Sequence, residues 1–331
     1  MSGSRRIDVA IVGAGLMGRW HARYAERAGG RVVAIVDRRE DAARRLGRHF
    51  PKAGVYLRLE EALRSTRAEV VHVCTGTDSH AALAAEALGA RRHVLVEKPA
   101  ALSGAEARRL VDLAQQGRLL LSPVHQFPFQ RGFRALLAER HRLGDILRIA
   151  LSVATAGGEG REDVERRALL IEILPHGLSL LRVLLGPGVA AQLTPVVSTA
   201  NELELAGRRG PVGISIVVTL RGRPTRNELI VTGTAASAVV DLFHGYSVLE
   251  TGGVSRGDKL LRPFRRGLGL ALGAAENLMV RAIAREPAFP GLRALIAAFY
   301  GAVREGGPAP VSVEELVETA EALEAFSAGA I

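Results

Sequence analysis

The chain has 331 residues, 48% of them hydrophobic and 24% charged, with a formal net charge of +10 and a single cysteine. That length allows about two domains with a sizeable core, while one cysteine excludes an internal disulfide and a Cys/His metal site. The basic charge does not make a nucleic-acid surface, because the arginines lie in mixed-sign segments such as RREDAARR and REDVERR and aromatics are only 4%, too few for a stacking platform.

Uncharged apolar stretches such as GLGLALGAA fall short of the ~20 residues that span a bilayer, and MSGSRR has no apolar export segment. A cytoplasmic protein without membrane, nucleic-acid or metal partners is therefore expected. Along the first third, apolar runs alternate with helical patterns. Strands are predicted at Ile7 to Val12, Val32 to Val36, Val70 to Cys74, His93 to Val96 and Leu119 to Ser122. Helices are predicted at Leu16 to Ala28, Glu40 to His49, Leu59 to Ser65, Ser79 to Leu88 and Gly104 to Gln115. Short apolar strands separated by helices indicate a parallel, doubly wound sheet.

After Pro123 the pattern changes. A helix from Gln130 to Arg142 precedes β-rich runs at Leu147 to Ala154, Gly213 to Leu220, Glu228 to Thr232, Ser237 to Phe243 and Tyr246 to Glu250. Without intervening helices most of these pair through turns, so a mainly antiparallel sheet is expected. Two helices, Leu292 to Glu305 and Val313 to Ala328, close the chain. The expected architecture is α/β: a dinucleotide-binding Rossmann domain over 1–122, then an α+β domain with an open sheet over 123–331 for substrate and oligomerisation.

VGAGLMG places Gly13, Gly15 and Gly18 in G-x-G-x-x-G spacing between a strand and a helix, the context that gives this pattern meaning. Gly13 permits the tight turn, Gly15 lets the backbone approach a pyrophosphate, and Gly18 allows close helix packing, with Leu16 and Met17 in the same anion-facing turn. Asp37, ending the second strand, can accept hydrogen bonds from ribose hydroxyls. Arg38 and Arg39 follow it and could accommodate a 2′-phosphate, so NAD is expected with some use of NADP. Thr75, Gly76 and Thr77 sit at the carboxyl end of the next strand, beside the crevice where such sheets bind ligands. His80 follows as a helix-capping or site residue.

VLVEKP then puts Lys98 between Glu97 and Pro99 at a strand's carboxyl end. Lysines make up only three of the 44 basic residues, so this one reads as a retained ammonium. A compact donor whose pKa can fall is suited to acid–base work in a way that a guanidinium is not.

With VDRRE, CTGTDSHAALAAEAL, HVLVEKPAALS, LGDILRI and the C-terminal helices, the chain resembles the glucose-fructose oxidoreductase, inositol dehydrogenase and MocA family of NAD(P)-dependent oxidoreductases. The resemblance implies that Glu97 and Lys98 face the nicotinamide, that the bond before Pro99 is cis, and that Lys98 binds or polarises the reacting oxygen. It also implies a second half of the site in LLIEILPHGLSLLRVLLG, where Glu172 and His176 stand at the positions of the family's Asp and His. One turn apart on a helix, they share a face, and an imidazole can exchange a proton near neutral pH. In VHQFPFQRGF, His125 and Gln126 match a stretch where relatives contact substrate, although they could equally fix the domain junction.

Three features depart from the family. Glu172 replaces Asp, Ser179 replaces an acid, and ERRALL replaces a glycine-rich approach to the helix, which puts the substrate in doubt. The implied activity is hydride transfer between NAD(P) and a secondary alcohol or ketone of a sugar, cyclitol or specialised metabolite, in a homodimer or homotetramer. Three asparagines and one tryptophan, Trp20, furnish a polyol pocket sparsely, so imine reduction stays open, and Arg166 and Arg167 could favour an anionic substrate. The rival readings are a tightly bound NAD used for elimination or hydrolysis, and a non-enzymatic cofactor-responsive binder.

Overall fold

The computed structural model describes residues 5–253 and 255–328. The first four residues, part of the segment read above for export, lie outside the described residues. Two compact units divide the chain: residues up to His125 together with Leu292–Glu324, and Gln126–Gly291 with the residues from Ala325.

The first unit begins with β1 (Ile7–Val12), α1 (Leu16–Arg27), β2 (Gly30–Val36), α2 (Glu40–Gly47), β3 (Gly54–Tyr56) and α3 (Leu59–Ser65). It continues with β4 (Val70–Val73), α4 (His80–Gly89), β5 (His93–Val96), α5 (Gly104–Gly117) and β6 (Leu121–Pro123). Its six strands lie in the order β3-β2-β1-β4-β5-β6, every pair parallel. This order, 3-2-1-4-5-6, is that of the dinucleotide-binding doubly wound fold.

β1 and β4 are buried along nearly all their length, as expected of strands covered by helices on both faces. The predicted strands and helices are present, with ends that coincide or shift by one or two residues. β3, a three-residue edge strand, has too short an apolar run to stand out in the sequence. Ser103 caps α5 by accepting a hydrogen bond from the Glu106 N–H at 3.2 Å, an S-x-x-E start signal.

The second unit contains α6 (Arg131–Ala138), β7 (Ile146–Ala154), α7 (Asp163–Leu185), β8 (Leu193–Ser198), β9 (Glu202–Arg209) and β10 (Val212–Thr219). β11 (Arg226–Gly233), β12 (Ala236–Asp241), β13 (Tyr246–Thr251) and α8 (Arg256–Ala284) complete it. Its seven strands run β13-β12-β11-β7-β10-β9-β8, antiparallel except for the β7–β10 pair. The mainly antiparallel sheet is as expected; β8 and β9, rich in Pro, Glu and Arg, were not distinguishable as strands.

α8 is also longer than its apolar stretches suggested. Both α7 and α8 are long and apolar enough to cross a membrane by length and composition. α7 is largely packed within its unit, whereas α8 lays one face on β13, leaving Leu260, Phe264, Leu268, Leu272 and Leu278 exposed. The sequence expectation of no helix of spanning length is corrected here: charges within α8, such as Arg265, Arg266 and Glu276, had hidden its continuity.

The last two helices, α9 (Leu292–Glu305) and α10 (Val313–Ala328), bring the chain back to the first unit. Leu295, Ile296, Phe299 and Tyr300 of α9 are completely buried, and Leu316 and Ala320 of α10 join the core formed by β1, β2, β4 and β5.

Helix α1 comes close to the turn that precedes it. A Cβ added to Gly18 would lie 1.7 Å from the Gly13 carbonyl oxygen. Alanine gains ~1 kcal/mol in helix propensity over glycine, but overpacking against rigid backbone costs about 1–3 kcal/mol or more. Gly18→Ala should therefore lower the urea midpoint, and an unchanged midpoint would show that α1 does not need this close approach.

Candidate active site

At the end of β1 the backbone turns sharply. Gly13 has φ +96, and a Cβ there would meet the Cys74 carbonyl oxygen at 2.6 Å. Its N–H donates to the Val36 carbonyl at 2.8 Å. Gly15 is the N-cap of α1, whose first turn receives no side-chain cap and carries no acid. A Cβ at Gly15 would have nothing within 4 Å. An uncapped helix N-terminus facing open space, with Leu16 exposed and Met17 in the same turn, has the donor set for a pyrophosphate. The residues present thus fit a dinucleotide.

Asp37 closes one side of this cradle. Its Oδ2 accepts the Ala14 N–H at 2.7 Å and its Oδ1 accepts the Arg39 N–H at 2.9 Å. The carboxylate therefore ties the glycine turn to the end of β2 while retaining acceptor capacity for a diol. Arg38 is exposed beside it.

At the end of β4, Ser79 occupies the N-cap of α4 but does not cap it with its side chain. Its hydroxyl donates instead to the Gly76 carbonyl at 2.9 Å and pairs with the Thr75 hydroxyl at 2.7 Å, shaping the loop that carries Thr75, Gly76 and Thr77. His80 is buried, with Nδ1 2.8 Å from the Pro99 carbonyl and Nε2 3.0 Å from the Thr75 carbonyl. Its ring bridges two strand-end loops, and only an imidazolium could donate to both oxygens.

The Lys98–Pro99 bond is cis, as the family resemblance implied. Glu97 is buried, whereas Lys98 is partly exposed. The Lys98 N–H donates to Glu97 Oε2 at 3.2 Å, so the carboxylate folds back over the following backbone. Its Oε1 lies 2.9 Å from His21 Nε2. Burial alone would raise the Glu97 pKa, but the His21 hydrogen bond and the Lys98 charge outweigh it and hold Glu97 below the usual carboxylate range.

Behind His21 stand two residues that sequence reasoning missed. His21 Nδ1 is 2.9 Å from His72 Nδ1, and His72 Nε2 is 2.9 Å from the Tyr300 hydroxyl. His21, His72 and Tyr300 are all completely buried. Burial, with His21 beside it, pushes the His72 pKa well down; burial pushes the Tyr300 pKa well up. A signal was present in EVVHVC, where a histidine inside a strand covered on both faces needs an internal partner.

The remaining predicted residues are differently placed. His125 is buried in the first unit, with Nδ1 2.6 Å from Glu315 Oε1, so its ring is held by α10. Gln126 is buried in the second unit, which also carries the predicted partners Glu172 and His176, half-buried and one turn apart on α7. The His176 ring stacks on Phe127 at 4.1 Å and 6°, and its carbonyl accepts the Ser179 hydroxyl at 2.9 Å.

α7 begins at Asp163 with a reciprocal capping box between Glu162 and Glu165. ERRALL therefore forms helix, and Glu172 and His176 lie in mid-helix rather than at its opening. Arg166 is engaged by Asp163 and the Arg161 carbonyl, which leaves less of its guanidinium for an anion. Among the described residues no group of three His, Cys, Asp or Glu side chains could hold a metal.

A profile of an oxidoreductase family with an NAD-binding Rossmann fold, GFO_IDH_MocA, matches residues 7–125. Inositol 2-dehydrogenase of Pseudomonas fluorescens is 29% identical over 185 residues, covering 54% of each chain. Biliverdin reductase A of Mus musculus is 36% identical over 125 residues, covering 35% of this chain and 39% of its own. The chain thus spans about half the length of the inositol dehydrogenases it matches. Among solved structures, the WlbA dehydrogenase from Bordetella pertussis, in complex with NADH and UDP-GlcNAcA, has the same fold, with a TM-score of 0.76 at 18% identity. That likeness covers 99% of this chain and 96% of the other.

Asp37→Ala would remove acceptors from two backbone N–H groups and from a ribose diol at once. Loss of hydrogen bonds to a charged acceptor at ~1.5–3 kcal/mol each should weaken NAD binding at least about tenfold in a fluorescence titration, with NADP binding less affected. Equal losses for both nucleotides would argue that Asp37 only shapes the turn.

Proposed function

We propose that the chain, whose residues 7–125 match the NAD-binding oxidoreductase family named above, oxidises a secondary alcohol or reduces the corresponding ketone. The substrate class is a sugar, a cyclitol or a related specialised metabolite. The observation that carries this reading is Lys98 at the carboxyl end of β5, its backbone held by a buried, ionised Glu97. In the same unit, the uncapped α1 N-terminus and Asp37 form a dinucleotide cradle.

When bound, the nicotinamide supplies the hydride acceptor or donor. Gly13, Gly15 and Gly18 let the backbone approach the pyrophosphate, and Asp37 orients the adenosine ribose toward NAD, with Arg38 permitting some NADP. Thr75, Gly76, Thr77 and His80 shape the nicotinamide side. Lys98 donates a hydrogen bond to the reacting oxygen and stabilises negative charge on it during oxidation. His176 exchanges the hydroxyl proton, with its ring plane set by Phe127, and Glu172 orients substrate or tunes that imidazole from one turn away. Gln126 contributes substrate contacts, while His125, tied to Glu315, supports the segment that carries it.

The apolar face of α8 supports a homo-oligomer, since a monomer rarely exposes so long an apolar stripe. Phe264→Asp combined with Leu268→Asp should convert a dimer or tetramer to monomer in light scattering. An unchanged mass would remove α8 from the interface.

Lys98→Met should lower kcat by about 10²–10⁴ while NAD affinity stays within about threefold. Near-normal turnover with any polyol or ketone substrate would sink the assignment of Lys98 and, with it, this mechanism.

A further inference from the structure

Four buried polar side chains from four separate elements form one unbranched series: Tyr300 on α9, His72 on β4, His21 on α1 and Glu97 just after β5. The three links between them are each 2.9 Å long. The Tyr300 hydroxyl has His72 Nε2 as its hydrogen-bond partner among the described residues. This end group sets the direction of the whole series, because a buried hydroxyl hydrogen without an acceptor is costly.

If Tyr300 donates, His72 Nε2 must be bare, so neutral His72 carries its proton on Nδ1. That proton can point only at His21 Nδ1, which must therefore accept. His21 is then neutral with its proton on Nε2, and it donates to the Glu97 carboxylate. One arrangement satisfies every donor. The reverse arrangement needs an added proton on His21 and leaves the Tyr300 hydrogen without an acceptor.

We infer that Tyr300, His72 and His21 are positioning residues whose one-way hydrogen-bond series keeps His21 neutral, so that Glu97 presents its full negative charge to Lys98. The inference rests on the reading of Lys98 as the proton-handling residue. Charged and titratable groups facing the series are Lys98 and Cys74 around Glu97, and Cys74, Arg304 and Glu26 around Tyr300. Cys74 is a neutral thiol, since burial and the Glu97 charge push its pKa well up.

Removing the hydroxyl removes the direction. In Tyr300→Phe, His72 Nε2 loses its partner whether it is bare or protonated, so the preference set by the tyrosine hydrogen is gone, and His21 can take up a proton and still donate to His72. The added proton offsets the Glu97 charge and withdraws stabilisation from the Lys98 ammonium. Activity is then lost from the acid side, and the acid limb of kcat/KM moves to higher pH.

The test combines histidine-selective ¹⁵N NMR on cofactor-free protein with pH profiles of wild type and Tyr300→Phe. Wild type should show His72 protonated on Nδ1 and His21 on Nε2 at neutral pH; the variant should show mixed tautomers. Its acid limb should rise by about one pH unit, a tenfold change in one protonation equilibrium. Its kcat at neutral pH should fall about fivefold, the effect of one hydrogen bond, with KM within about twofold.

A wild-type spectrum with His72 protonated on Nε2, or superimposable pH profiles, would overturn the inference, and the first result decides it even if the variant does not fold. If Lys98→Met is inactive while Tyr300→Phe matches wild type, this inference alone fails. If Lys98→Met is active, the proposed mechanism fails, while the tautomer pattern still stands or falls by the spectrum.

Discussion

A buried carboxylate is the constraint on which the first unit's chemistry depends. An isolated ionised carboxylate in an apolar interior costs far more than a whole domain's net stability and would normally be neutralised. Glu97 stays ionised because its two oxygens are engaged from opposite sides, Oε1 by His21 and Oε2 by the Lys98 N–H. One ion thus accounts for a histidine on the buried face of α1, a histidine inside β4 and a tyrosine on α9. None of these three has a packing reason to be polar. Apolar residues of similar size would fill the same space, so their chemistry answers to the charge.

The dinucleotide cradle was legible in the sequence because its requirements are local. G-x-G-x-x-G between strand and helix, followed by an acid at the end of the second strand, encodes a turn, an open helix end and a diol acceptor within one βαβ unit. The structure shows the local backbone that such a pattern asks for: the positive φ at Gly13, the free space at Gly15, the close approach at Gly18 and the Asp37 clasp. Lys98 was conspicuous for a different reason, as a lysine in a chain that otherwise uses arginine.

The series behind Glu97 was not legible, because its members are far apart in the chain and each looks ordinary alone. His72 and Tyr300 are 228 positions apart, and neither spacing nor periodicity connects them. The length of α8 was obscured because charges interrupt its apolar runs. β8 and β9 were missed because neighbouring strands, more than side-chain pattern, make them strands. Family likeness could place Glu172 and His176 in the chain, but ERRALL, which forms the opening turns of α7, lies where relatives differ and so leaves the substrate class open.

The first unit is discontinuous, since its sheet is complete by β6 while its buried tyrosine arrives on α9. On a ribosome adding 5–20 residues per second, roughly ten to thirty seconds separate the emergence of these two parts. During that interval the nascent sheet holds Glu97, His21 and His72 without the phenol that orders their protons. A soluble fragment ending near β6 would carry the cofactor motifs without the arrangement that tunes them. In biosynthesis, the site is therefore finished only once α9 has been made.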